Sequence, residues 1–138
     1  MKNTYIFPAI FNYADDGISI EFPDLPGCFS CSETTEEAFS DAKEAMGLHL
    51  WGMERDDDII PEPSDIRNIK LGKDDVLVMI EVFMPPVRDR INNSYVKKTL
   101  SIPKWLNVLA EEANVNFSKV LQVALKEYLN VKEPKNSI

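Results

Sequence analysis

Residues 95–129 limit what this chain can fold into more than any other stretch. They run from an alternating segment, Tyr95-Val96-Lys97-Lys98-Thr99-Leu100-Ser101-Ile102, through Pro103 into two short helical patterns. Period-two alternation places Lys97, Thr99 and Ser101 on one face of a strand, with Val96, Lys98, Leu100 and Ile102 on the other. One short strand is not stable by itself, so it requires a partner strand. Pro103 suits the first turn of the helix that follows, where a missing N–H costs little.

Both helical patterns are apolar on a face that something must cover. Ile102, Leu106, Leu109, Ala110 and Ala113 form one stripe. Asn114-Val115-Asn116 breaks the pattern, and Asn116 is suited to cap the next helix. There Val120, Leu121, Val123, Ala124, Leu125 and Tyr128 are too many for a single buried face. So small a unit does not bury enough surface alone, which implies a second chain. The segment resembles the ribbon-helix-helix fold, in which two chains pair such strands and set the ribbon into a major groove. The resemblance implies a homodimer through the C-terminal domain. Lys97, Thr99 and Ser101 would then face operator DNA, lysine donating to guanine and the hydroxyls serving several bases. The backbone N–H groups of Phe117 and Ser118, opening the second helix, are placed to hold a phosphate.

Charge bears on the same question. The whole chain carries a formal net charge of −8, which alone argues against nucleic acid. The distribution is uneven. Residues 1–90 hold 8 Lys and Arg against 19 Asp and Glu, a net of −11, whereas residues 91–138 hold 7 Lys against 4 Glu, a net of +3. A basic end on an acidic body suits DNA at one end and a basic partner at the other. No apolar run approaches the roughly 20 residues of a membrane span. Met1-Lys2-Asn3-Thr4 leads into a strand pattern without a signal-peptide core. A cytoplasmic protein without a membrane partner is therefore expected. Its boundary, between domains 1–90 and 91–138, is expected from Met84-Pro85-Pro86 through Asn92-Asn93-Ser94, where prolines and then polar residues interrupt the hydrophobic pattern.

The first domain reads as α+β. Tyr5, Phe7, Ala9, Phe11 and Tyr13 alternate with Ile6, Pro8, Ile10 and Asn12 in a strand, and Asp15-Asp16-Gly17 turns it into a second, Ile18 to Phe22. Two prolines and a glycine make Pro23-Asp24-Leu25-Pro26-Gly27 a rigid, irregular loop. Cys28 to Ser32 is a short strand. Thr34 with Glu37 forms a capping box for a helix whose stripe is Ala38, Phe39, Ala42, Met46, Leu50 and Met53. Glu54 to Ser64 is an acidic, proline-bearing connection. The nearly continuous apolar run Val76 to Phe83 predicts a strand buried on both faces.

Three stretches together, Phe7-Pro8-Ala9-Ile10-Phe11, then Phe22-Pro23-Asp24-Leu25-Pro26-Gly27-Cys28-Phe29, then Thr34 to Ala45 with Glu37-Ala38 and Ala42-Lys43-Glu44-Ala45, resemble the HicB antitoxins of type II toxin–antitoxin modules. The likeness is strongest over residues 4–53, and a ribbon-helix-helix tail fits one branch of that family. Ser32-Glu33 stands where many relatives carry a Gly-Asp pair. The resemblance implies a truncated RNase H-like domain (β-β-β-α-β) without nuclease activity, followed by a ribbon-helix-helix (β-α-α) domain. It also implies a HicA-type toxin partner, a small basic ribonuclease with a double-stranded-RNA-binding-type fold, which the antitoxin neutralises while its tail represses the shared operon. A tetramer or larger assembly is compatible with this.

An acidic domain would steer and hold a basic toxin. Its expected contact residues are Asp24 and Leu25 in the proline-bearing loop and Glu33, Glu36 and Glu37 at the helix start. A competing reading is a ribbon-helix-helix regulator whose first domain senses a small molecule. Enzyme chemistry is not expected. Cys28-Phe29-Ser30-Cys31 has C-x-x-C spacing, but on a strand positions i and i+3 face oppositely, which leaves two buried or half-buried thiols in a reducing compartment. His49 reads as a packed histidine without a nucleophile partner. Glu21, Asp24 and Asp41 share no metal-binding spacing, so no metal and no cofactor are called for.

Overall fold

The computed structural model describes residues 1–92 and 95–131, and contacts divide the chain into two units, the second beginning at Tyr95. In the first unit β1 (Thr4–Ala14) turns into β2 (Gly17–Glu21), and β3 (Phe29–Ser32) follows. Gly17 holds φ +139, and a Cβ there would meet the Ser32 carbonyl oxygen at 2.9 Å, so this turn demands glycine. α1 (Thr35–Arg55) comes next, then a one-turn 3-10 helix at Ile66–Asn68, then β4 (Asp75–Phe83). The sheet order is β3-β2-β1-β4, every neighbouring pair antiparallel.

α1 begins where its cap is. Thr34 Oγ1 accepts from the Glu37 N–H at 3.2 Å, and the Glu37 carboxylate reaches back to the Glu33 N–H at 3.3 Å. Asp57, at φ 59, ends the helix, with the Asp58 N–H donating to the Met53 carbonyl at 2.9 Å. Ala38 and Ala42 are fully buried, and their small side chains let the helix lie close on the sheet. Met46 and Leu50 then join Phe7, Phe11, Ile20 and Ile80 in one core. Each such side chain contributes roughly 1.5–3 kcal/mol when fully buried. Phe39, expected in the stripe, stays 43% exposed, its ring edge-on to Phe11 at 5.5 Å.

Two expectations are corrected. β4 is an edge strand, not one buried on both faces: Ile80 and Val82 enter the core, but on the other face Met79 is 45% exposed and Glu81 is exposed as well. Apolar runs mark what could be buried, and here only one face is covered by a helix. The proline-bearing stretch expected as an interruption is instead α2 (Met84–Asn92). Pro85 and Pro86 fall in its first turn, where N–H groups have no helical partner to lose. Val87 packs onto Gly47, where a Cβ would meet its methyl at 3.3 Å. Asn93 and Ser94 of the expected boundary, and residues 132–138 of the second domain, lie outside the described residues.

The second unit contains α3 (Lys104–Glu112) and α4 (Phe117–Leu129). Between them Asn114 takes φ 53, with its N–H donating to the Glu111 carbonyl and the Val115 N–H to the Ala110 carbonyl, both at 3.0 Å. That double bond pattern is a Schellman ending, and asparagine tolerates its left-handed position. Asn116 caps α4, its Oδ1 accepting from the Lys119 N–H at 3.1 Å. Residues 95–103 carry no regular structure in the single chain. A strand is defined by the neighbour it bonds, and among the described residues the sheet contains only β1 to β4.

Candidate functional site

Register decides what each face of the sheet presents. Phe7, Ala9 and Phe11 of β1 share the helix-covered face with Ile18, Ile20, Ile80 and Val82. The opposite face gathers Ile10 and Asn12 with Ser19, Glu21, Phe29, Cys31 and Asp75 around a shallow groove. Met79 and Glu81 extend it along β4. The strands give this face three carboxylates, on Glu21, Asp75 and Glu81, and the four strands contain no lysine or arginine. Phe29 is 73% exposed on this face. Asn12 Nδ2 donates to Asp75 Oδ1 at 2.7 Å, and the Gly72 N–H donates to Oδ2 at the same distance. The Asn12 amide first, and then the Gly72 N–H, hold the Asp75 carboxyl below its ordinary value. An apolar and anionic surface whose strands carry no cation suits a basic protein partner. The sequence holds the signal for it, in the alternation of β1 against β4, but only pairing shows that these residues meet.

The contact residues expected from the sequence do not form one patch. Asp24 is half-buried and accepts from the Ser64 N–H at 2.9 Å and from the Ser64 hydroxyl, so it ties the loop after β2 to the connection before β4. Leu25 is 1% exposed and belongs to the core, because the loop folds inward through bonds from the Leu25 N–H to the Phe22 carbonyl and from the Cys28 N–H to the Leu25 carbonyl. Leu25 therefore offers no surface in the free chain. Glu33, Glu36 and Glu37 are exposed at the start of α1. The Pro26-Gly27 corner instead lies beside His49, with a Gly27 Cβ position 3.9 Å from its ring. Fourteen helical residues, about 21 Å of axis, separate Thr35 from His49.

The residues weighed for enzyme chemistry are also dispersed. Cys28 is buried, and its thiol is pushed up to about 11 by that burial. Cys31 is exposed on the open face, more open than expected. Glu21 lies on the open face, while Asp41 on α1 accepts from the Ser32 hydroxyl at 2.6 Å. Among the described residues no three His, Cys, Asp or Glu side chains group closely enough to hold a metal ion, and no helix is long and apolar enough to cross a membrane.

In the second unit Lys97, Thr99 and Ser101 are all exposed. Phe117 and Ser118 open α4, and the Asn116 cap is spent on Lys119, which leaves their N–H groups without an intrahelical acceptor. Neither helix buries a single residue. Trp105, Leu109, Val120, Val123 and Leu125 are 47–66% exposed, far more contiguous apolar surface than a two-helix piece keeps in water.

An anionic sheet unit followed by two helices with uncovered apolar faces is the build of a binding protein rather than a catalyst. The chain belongs to the HicB-like antitoxins: residues 7–125 match the family described as the HicB_like antitoxin of bacterial toxin-antitoxin systems, a regulatory family without enzymatic activity. A chain of the toxin–antitoxin complex from Streptococcus pneumoniae is similar at TM-score 0.56 and 26% identity, over 91% of this chain and 99% of that one. The antitoxin HicB of Burkholderia pseudomallei shares the mixed α+β fold at TM-score 0.50 and 20% identity, over 91% of this chain and 98% of its own. An uncharacterised 14.9 kDa protein from the rep-hol intergenic region of Haemophilus phage HP1 is 35% identical over 80 residues, 56% of this chain and 60% of that protein.

Proposed function

We propose that this chain is the cytoplasmic antitoxin of a type II module: it binds and neutralises a HicA-type, mRNA-cleaving toxin through its first unit and represses its own operon by binding operator DNA as a dimer through its second. The observation that carries the reading is the family match over residues 7–125, which spans both units. The β-β-β-α-β order of the first unit supports its reading as the truncated RNase H-like domain. Its open face, with three carboxylates and no cation on its strands, gives a basic ribonuclease a place to dock in place of RNA phosphates. The uncovered helices of the second unit support dimerisation, and pairing of two 95–102 segments would make the ribbon that carries Lys97, Thr99 and Ser101 into a groove.

The test is co-expression of the full chain with the short basic protein encoded beside it. Copurification, loss of that protein's RNA cleavage, and a mobility shift of the promoter DNA by the pure antitoxin are expected. Failure to capture the basic protein, with its cleavage unabated, overturns neutralisation. Capture without any promoter shift overturns repression alone.

A further inference from the structure

The ladder of β1 is complete on one side and half empty on the other. The Tyr13 N–H donates to the Asp74 carbonyl and the Met84 N–H to the Asn3 carbonyl. Bonded pairs alternate in an antiparallel ladder, so every odd-numbered residue of β1 aims its N–H and C=O at β4. Even-numbered residues aim theirs at β2. β2, however, ends at Glu21 opposite Ile10. Below that point the backbones of Thr4, Ile6 and Pro8 face the side β2 has vacated, and Pro8, buried there, has no N–H to leave unmet.

A cleft of about 360 Å³ occupies the vacated side, with Lys2, Thr4 and Ile6 on one wall and Ile60, Pro61, Glu62 and Pro63 on the other. The second wall does not complete the ladder. Two of its four residues lack an N–H, and no backbone bond links it to β1 among the described residues. Ser64, next to Pro63, is held by Asp24 in the loop that ends β2, so the wall is anchored beside the strand rather than on it. Thr4 and Ile6 thus present donors and acceptors at a two-residue strand repeat of about 6.6 Å.

We infer that this half-empty ladder receives an extended segment of the basic toxin, which adds to β1 as a strand beside residues 4–8. Main-chain bonds supply affinity in such additions and alternate side chains supply specificity. The occupant is argued from charge and continuity: the cleft itself balances Glu62 against Lys2, but the Ile6 side chain, 46% exposed, lies on the same face as Glu21 and Asp75, and that face is anionic. The docked segment would run from the cleft onto the anionic face. The inference rests on the antitoxin reading.

Ile6→Pro tests it in the full chain, because that change deletes one outward-facing N–H and no bond to β4. Ile6→Ala removes side chain and keeps the donor. Ile6→Pro is expected to weaken toxin binding about tenfold, with the unfolding midpoint unchanged, while Ile6→Ala loses less. In the wild type the Ile6 amide should exchange fast in the free chain, unlike those of Tyr5 and Phe7, and become protected in the toxin complex. Equal binding by the proline variant, or an Ile6 amide that stays unprotected in a complex that forms, overturns strand addition while the antitoxin reading stands. An Ile6 amide already protected in the free dimer assigns the cleft to a second copy and overturns it too. Absence of any complex with wild type overturns the antitoxin reading itself.

Discussion

Arg88 forks onto Glu54, its Nη2 lying 2.7 Å from Oε1 and its Nε 2.9 Å from Oε2. The same guanidinium donates to the Lys2 carbonyl at 2.7 Å and to Asn3 Oδ1 at 3.2 Å. One side chain of α2 thereby joins the end of α1 to the start of the chain. The pair is well shielded, with side-chain exposures of 18% and 7%. Arg88→Ala would leave the Glu54 carboxylate buried without its cation, which costs about 3 kcal/mol. Arg88→Lys should recover only part of that, because an ammonium does not make the fork. Chemical denaturation of the three proteins measures it; equal midpoints would show the pair to be neutral.

Gly17→Ala should destabilise the first unit by roughly 1–3 kcal/mol, since the new Cβ meets the Ser32 carbonyl oxygen of a backbone held in β3. Thermal unfolding would show a midpoint several degrees lower.

The two cysteines should separate under alkylation. Cys31 is exposed and reacts in the native chain, whereas Cys28 is buried with a thiol pushed up to about 11 and reacts only on unfolding. The folded chain keeps the Cys28 proton where the unfolded chain releases it, from the ordinary value of 9.0 upward. Stability from this group is therefore whole below about pH 9 and falls by on the order of 2 kcal/mol as pH climbs to about 11. Cys28→Ser should abolish that part of the alkaline loss.

Leu125→Glu sets a carboxylate on the uncovered face of α4. Under the proposed dimerisation through the second unit, sedimentation of the full chain should shift from dimer to monomer, with loss of helical signal from the tail and of promoter binding. A variant that stays dimeric would place the dimer contact elsewhere.

Lys97→Ala should weaken promoter binding and reduce the slope of log affinity against log salt by about 1 for each protomer if the lysine meets a phosphate. If it reads guanine, specificity relaxes at one base pair instead. Competition with mutated promoter fragments at several salt concentrations distinguishes the two.

Elements were more legible than surfaces. The alternation from Tyr5 to Tyr13, the Asp15-Asp16-Gly17 turn, the Thr34 cap and the Asn116 cap each rest on chemistry within a few residues of chain, and each stands where that chemistry puts it. Pro85-Pro86 misled because proline interrupts a helix interior yet suits its first turn, and nothing nearby tells the two apart. Leu25 misled because a proline-bearing loop reads as surface, while three-residue bonds at Phe22 and Cys28 fold this one inward.

Sequence by itself determined the strands and long helix of the first unit, the two helices of the tail, the charge division between the two halves, and the tail's surplus of apolar residues, since propensity, capping and composition act over short spans of chain. Only the tertiary structure decided that β4 lies at an edge, that Glu21 and Asp75 share one face across 54 residues of chain, and that β2 stops short beside Ile6. Those depend on which backbone groups pair across the sheet, and pairing over such separations is settled by packing the whole core at once.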